Sequence, residues 1–192
     1  MNFFLFVAPS ASGKTTISKA VSEKYDLPRI DLHRILHDLA TRSGYPRARE
    51  WVMSIGLDEV LNLTRMQMLE EIETNKNPRG IIIDEIIDEG TLDLIKNLYP
   101  ESDIVLIYIQ TNQENRLRFI SKRIDAKDES RALEELLFID RLKQKLGIDQ
   151  ILEQAEVKIS NDGRVEDTVA EVCEYVGRVL HNPEGTVKRE RE

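Results

Sequence analysis

Cysteine is almost missing from this chain: Cys173 stands alone among 192 residues. A lone thiol excludes an internal disulfide framework and any zinc site built on paired cysteines of one chain. It suits a reducing compartment, and the expected location is cytoplasmic. Long hydrophobic runs are missing as well, since no stretch approaches the ~20 apolar residues that cross a bilayer. The first apolar run is short and has no basic residues ahead of it, unlike a secretory leader. No membrane association is expected. Basic charge is in deficit: 27 Lys and Arg face 35 Asp and Glu, for a net charge of −8. That balance argues against a dedicated nucleic-acid binder while leaving room for a local phosphate pocket. Histidine is scarce, and His33, His37 and His181 show no spacing that other ligands complete into a metal site. No serine, histidine and acid set suggests a hydrolase triad.

What is present reads as one globular domain. Hydrophobic residues make up 41% and charged residues 32%, too apolar for a disordered chain. The expected domain covers residues 1–181, followed by a polar tail at 182–192. The chain is organised around Ala8-Pro9-Ser10-Ala11-Ser12-Gly13-Lys14-Thr15-Thr16. An apolar run, Phe3-Phe4-Leu5-Phe6-Val7, precedes it, and a helix-like segment at 17–25 follows. Strand, glycine-bearing loop and helix come in the order of a P-loop, although Ala8 stands where the usual first glycine belongs. Such a loop captures anions. Its backbone N–H groups point into a concave cradle, and the next helix aims its positive end at the same point. Gly13 lets the backbone approach a phosphate, Lys14 reaches the outer phosphates, and the Thr15 hydroxyl can ligate magnesium.

Buried strands, each a short apolar run, are expected at 2–7, 81–83 and 104–109, with a short strand at 27–31 that ends in a carboxylate and a fifth at 156–160. Helical segments alternate with them: 17–25, 32–44, most of 47–75, 91–98, 112–123, 133–146 and 165–180. Alternation predicts an α/β fold with a five-stranded parallel sheet and helices on both faces. Ligands in such sheets sit at the carboxyl ends of the strands. That rule gathers the P-loop, Asp31 and Asp84-Glu85 on one edge.

Asp84 ends an all-isoleucine strand. It can hold magnesium through water or orient an acceptor, and a solvated strand end is the plainer alternative. Asp31 and Arg34 form an Asp-x-x-Arg pair after the second strand. Arginine there can clamp an anionic group of a second substrate, and the carboxylate can take a proton from an attacking hydroxyl. The same Asp31 is also a good helix N-cap. The run Asp84-Glu85-Ile86-Ile87-Asp88-Glu89 is acidic and would repel an anionic acceptor unless Arg34, Arg42, Arg47 or Arg49 compensates. Arg47-Ala48-Arg49-Glu50-Trp51 can offer two guanidiniums and an aromatic plate, or simply start a helix on a half-buried Trp. Cys173 shares an apolar stripe with Val169, Val172 and Val176 and is expected in the core.

The P-loop, Asp31-Leu32-His33-Arg34, Asp84 and the arginines after the fourth strand together resemble P-loop kinases of small metabolites. Nucleoside monophosphate kinases are the broad relatives. The run Arg116 to Arg123, Leu146-Gly147-Ile148 and 155–163 look closer to dephospho-CoA kinases and related archaeal nucleotide-kinase-like proteins. The resemblance implies a helical lid at about 116–146 and a helical acceptor-binding insertion at about 32–77. It implies that Arg123 faces the ATP phosphates and that Asn161 belongs to the turn bordering the adenine. Phe119 occupies a position that is often arginine, and Arg131 or Arg141 can supply that charge from the far side of the lid. Ser10, Ala11, Ser12, Gly13, Lys14, Thr15 and Thr16 would hold the phosphates; Thr15 and Asp84 would hold Mg2+; Asp31 and Arg34, with Asp84, would meet the acceptor. The function so implied is an ATP-dependent kinase of a nucleotide or nucleotide-like small molecule, catalytic through Lys14, Asp31 and Arg123. A nucleotide-driven switch acting on a protein partner, or an inactive nucleotide binder, is the alternative.

Overall fold

The computed structural model describes residues 1–124 and 129–181. The tail at 182–192 and the 125–128 portion of the expected lid lie outside the described residues. The strands are β1 (Asn2–Val7), β2 (Arg29–Asp31), β3 (Gly80–Asp84), β4 (Asp103–Gln110) and β5 (Val157–Ser160). They form one parallel sheet in the order β2-β3-β1-β4-β5. The α/β expectation therefore holds, with each strand close to its expected place.

Alternation along β1 explains the two layers. Phe3, Leu5 and Val7 point to one face, and Phe4 and Phe6 to the other. All five are fully buried, each worth about 1.5–3 kcal/mol of transfer free energy. On the second face lie α1 (Lys14–Tyr25) and α9 (Val165–His181), through Ile17, Val21, Val172, Cys173 and Val176. The first face is covered by α2 (Leu32–Arg42), α4 (Leu57–Thr74), α5 (Glu89–Leu98) and α8 (Ile148–Gln154).

Two helical regions depart from the sheet. One is α2 with α3 (Ala48–Ile55) and α4, joined around Ala40, Ala48, Trp51 and Val60. Helix periodicity across 47–75 hid a break: Gly56, at φ 90°, separates α3 from α4. Trp51 is only 2% exposed, so it is core of this insertion and offers no aromatic plate to a ligand. The other region is α6 (Gln113–Arg123) with α7 (Glu129–Lys145), packed through Ile120, Ala132 and Leu136. Helix α8 was not expected; Gly147, in the left-handed region at φ 89°, ends one helix and starts the next.

Candidate active site

Parallel pairing sets Phe6 of β1 beside Asp84 of β3. The loop leaving β1 and the carboxylates ending β3 are therefore neighbours. The loop turns through two left-handed residues, Ala11 at φ 59° and Gly13 at φ 80°. Alternation of that kind builds an anion-binding nest. The N–H groups of residues 11–15 have no hydrogen-bond acceptor among the described residues, so all are available to an anion. Gly13 is required twice over. Its φ disfavours a side chain, and a Cβ there would lie 2.4 Å from Asn161 Nδ2. Ala8, by contrast, keeps an ordinary negative φ, so the first position of the motif does not demand glycine here.

Behind the loop sits a buried charge network. The Lys14 ammonium bonds the Asp84 carboxylate and lies 3.9 Å from Glu85 Oε2. Ser18 and Arg29 donate to the other Asp84 oxygen, each at 2.9 Å. Glu85 is shared with Lys143, whose ammonium also donates to the Ala8 carbonyl at 3.3 Å. Burial pushes the Lys14 ammonium down, but Glu85 and Asp84 outweigh it and hold its pKa above the usual lysine value. Burial likewise pushes both carboxylates up, and the cations overcome it: Lys143 and Lys14 hold Glu85 well below the carboxylate range, and Lys14 and Arg29 lower Asp84. The Lys14 ammonium and the Asp84 and Glu85 carboxylates therefore each favour the charged form in the folded state.

A cavity of about 580 Å3 opens in front of this network. Ser10, Ala11, Ser12, Gly13, Lys14, Thr15, Thr16, Arg123 and Asn161 all line it. Asn161 fixes the loop by donating to the Ser12 carbonyl at 2.9 Å and is itself held by Thr168. Arg123 makes no ion pair among the described residues. Asp84 stands behind the wall. Asp31 and Arg34 also lie off it. Asp31 caps α2 by accepting from the Arg34 N–H and pairs with Arg29. The Arg34 guanidinium is exposed and spans Asp38 and Glu71. Both residues of the Asp-x-x-Arg pair thus have structural partners.

Besides Lys14 and Arg123, six titratable side chains line the wall: His33, Arg65, Glu85, Asp88, Lys122 and Lys143. Lys143 had a visible signal, because Ala132, Leu136 and Lys143 fall on one buried helical stripe and a lysine there needs a partner. Lys143 lines the cavity, and Arg131 and Arg141 do not. Arg65 had no signal. Its partner, Asp88, comes from the chain after β3. His33 lies at the rim, where burial of its ring lowers its pKa despite the pull of Glu85. Arg116 is placed behind the loop, donating to the Ser10 carbonyl at 2.8 Å and pairing with Asp140.

Among the described residues no cluster of three or more His, Cys, Asp or Glu is disposed to hold a metal. Magnesium on a phosphate chain needs less, keeping several waters and one or two protein oxygens. The Thr15 hydroxyl, on the cavity wall and without a partner among the described residues, fits that need, and the Asp84 carboxylate behind it fits an outer-sphere place.

A family model described as an AAA domain matches residues 7–137, from the end of β1 into α7. This chain belongs to the AAA domain family. A UPF0200 protein of Thermococcus sibiricus is 23% identical over 167 residues, covering 83% of this chain and 85% of the relative. The AAA domain fold recurs in a shikimate kinase from Bacteroides thetaiotaomicron, with TM-score 0.61 and 15% identity over 92% of this chain and 98% of the other. It recurs in a gluconokinase from Sinorhizobium meliloti, with TM-score 0.56 and 15% identity over 95% of each chain. The resemblance to P-loop kinases read from the sequence thus stands at the level of fold.

Proposed function

We propose that this AAA domain is a magnesium- and ATP-dependent phosphotransferase acting on a small molecule. One observation carries the reading: five unpartnered loop amides and Lys14 face a cavity that also exposes Arg123 and Lys143. Two structures of the same fold bear the names shikimate kinase and gluconokinase, which favours transfer over a mechanical role.

The loop amides would hold the β- and γ-phosphates, with Lys14 released from Asp84 as they arrive. Asp84 would keep Arg29 and Ser18 through that exchange. Thr15, and Asp84 through water, would hold magnesium, which neutralises phosphate charge when bound. Asn161 would border the base. Arg123 from one side and Lys143 from the other would stabilise charge on the transferring group. The acceptor oxygen bonds to the γ-phosphorus as that atom leaves the β–γ bridging oxygen. ADP departs with the bridging electron pair, and the hydroxyl proton passes to Glu85 and on to water. A loose transition state asks for orientation more than a strong base, which suits a carboxylate held ionised. Asp31 would act at one remove, by fixing Arg29 against Asp84.

The test is transfer of labelled γ-phosphate from ATP to an acceptor panel, with ADP binding measured in parallel. ADP binding and label transfer are expected. Phosphate release that requires an added protein, with transfer to no small molecule, would overturn the reading in favour of a switch.

A further inference from the structure

The phosphate end of the cavity is polar, but the opposite end is not. Leu36 of α2, Val52 of α3, Val60 and Leu61 of α4, Ile87 after β3 and Leu142 of α7 wall it. A nucleoside monophosphate in that space would need cations for its phosphate. None of the four arginines that sequence offered for the purpose is there: Arg34, Arg42, Arg47 and Arg49 all lie off the cavity wall. The guanidinium of Arg49 is instead 4.5 Å from the Phe138 ring centroid. Arg65 does line the space, but every nitrogen is engaged: one with Asp88, one with Thr91 at 3.0 Å, one with Asn62 at 3.3 Å. Lys143 is bound to Glu85. Arg65 and Lys143 are thus each matched by a carboxylate, and the acidic Asp84–Glu89 run adds no positive charge; the two lining cations without an ion pair among the described residues, Lys122 and Arg123, end α6, the helix whose Ile120 packs against Ala11 of the phosphate loop.

We propose that the acceptor is an uncharged, largely apolar alcohol, seated among the α2, α3, α4 and α7 side chains with its hydroxyl toward Glu85 and His33, and that it is not a nucleotide. The proposal rests on the phosphotransferase reading and refines its substrate class. Apolar walls strip water from such a molecule and leave its one polar group to find the two polar side chains available. An anionic acceptor would have to break the Arg65–Asp88 pair, which also caps α5.

The experiment uses the full chain saturated with ADP, so that added nucleotides report only on the acceptor end. N-phenyl-1-naphthylamine, an uncharged apolar fluorophore, is titrated in and then competed. Cyclohexylmethanol and octanol are expected to displace it, while AMP, CMP, UMP and dephospho-CoA leave it bound. Leu61→Asp, at a half-buried position, is expected to weaken dye binding at least tenfold while ADP still binds, which shows that the fold survives. Asp88→Asn keeps an N-cap side chain but removes the carboxylate that neutralises Arg65, and is expected to let AMP compete where it did not before. Displacement by nucleoside monophosphates at lower concentration than by the alcohols would overturn the proposal, as would dye binding indifferent to Leu61→Asp. Failure of the chain to bind ADP at all would strike the phosphotransferase reading instead, and the two failures are separately visible.

Discussion

The two ends of the cavity are built from different materials. At the phosphate end, recognition belongs to the backbone: loop amides, two left-handed residues and the start of α1. At the other end the wall is made of side chains from four helices, mainly apolar, with His33, Thr64, Thr91 and the Arg65–Asp88 and Lys143–Glu85 pairs among them. A backbone cradle depends on a few local dihedral angles and fits any polyphosphate. A side-chain wall depends on packing between distant segments and selects one shape. Substitutions at the first end should therefore abolish chemistry in general, and those at the second should change which molecule reacts.

Lys14→Ala should give the largest effect. It removes the ammonium from the phosphate cradle and is expected to lower transfer by on the order of 10²–10³-fold or more. The fold should survive, because Asp84 keeps Arg29 and Ser18 while Glu85 keeps Lys143. Steady-state turnover with a thermal melt beside it checks both halves. Retained turnover would break the contrast between the two ends at its strongest point.

Glu85→Gln tests the hinge between them. Glu85 answers to Lys14 on one side and Lys143 on the other, and removing one member of a buried ion network costs about 3 kcal/mol. The pH dependence is specific. Its carboxyl is held below the ordinary 4.5, so its contribution is complete above that pH and is lost as pH falls toward the lowered value. The stability gap between wild type and variant is expected at neutral pH and should close below about pH 4.5. Urea unfolding across a pH series measures it. A gap that persists unchanged into acid would show that Glu85 is not ionised by its lysines.

That hinge also marks where sequence reading stopped. The inner strands β1, β3 and β4 were legible because buried parallel strands are short apolar runs, and the P-loop because its anion cradle is nine adjacent residues. Asp84 was legible because it ends a strand on the edge where ligands gather, whereas Asn161 entered only through the family resemblance. Glu85–Lys143 and Arg65–Asp88 were not, since their partners come from elements 58 and 23 residues apart and meet only when helices pack. The Asp31-x-x-Arg34 spacing allowed both a ligand pair and a helix cap; the cap is present, and Arg34 forms a surface ion pair because carboxylates at 38 and 71 lie within reach, partners the spacing alone does not reveal. The break at Gly56 was hidden by apolar periodicity that runs on through it.

Gly13→Ala should be next in size, and Gly44→Ala is its control. Both glycines have nearly the same dihedral, φ 80° and φ 85°, so both substitutions carry about 1 kcal/mol of backbone strain. Only at Gly13 does the new Cβ meet another atom, Asn161 Nδ2 at 2.4 Å, while Gly44 has open space. Relief would require Asn161 to swing off the Ser12 carbonyl, a further ~1 kcal/mol of hydrogen bonding. Gly13→Ala is therefore expected to cost about twice what Gly44→Ala does, and to weaken ADP binding, which Gly44→Ala should leave alone. Equal losses in a pair of denaturant titrations would mean that the Asn161 contact does not brace the cradle.

Arg34→Ala should show the smallest effect, and its smallness is the informative outcome. Sequence logic made this residue a substrate clamp, and a clamp lost from a phosphate or carboxylate subsite would raise KM by tenfold or more. The geometry makes it a surface strut between Asp38 and Glu71, with about half of its side chain in solvent. Exposed ion pairs of that kind contribute roughly 0.2–1 kcal/mol, screened further by salt. The expected result is a stability loss under ~1 kcal/mol that shrinks in high salt, with KM for the acceptor unchanged. A KM effect without a stability effect would return Arg34 to the site. It would also mean that the acceptor carries a negative charge after all, because only an anion would register the loss of a guanidinium that no apolar alcohol touches.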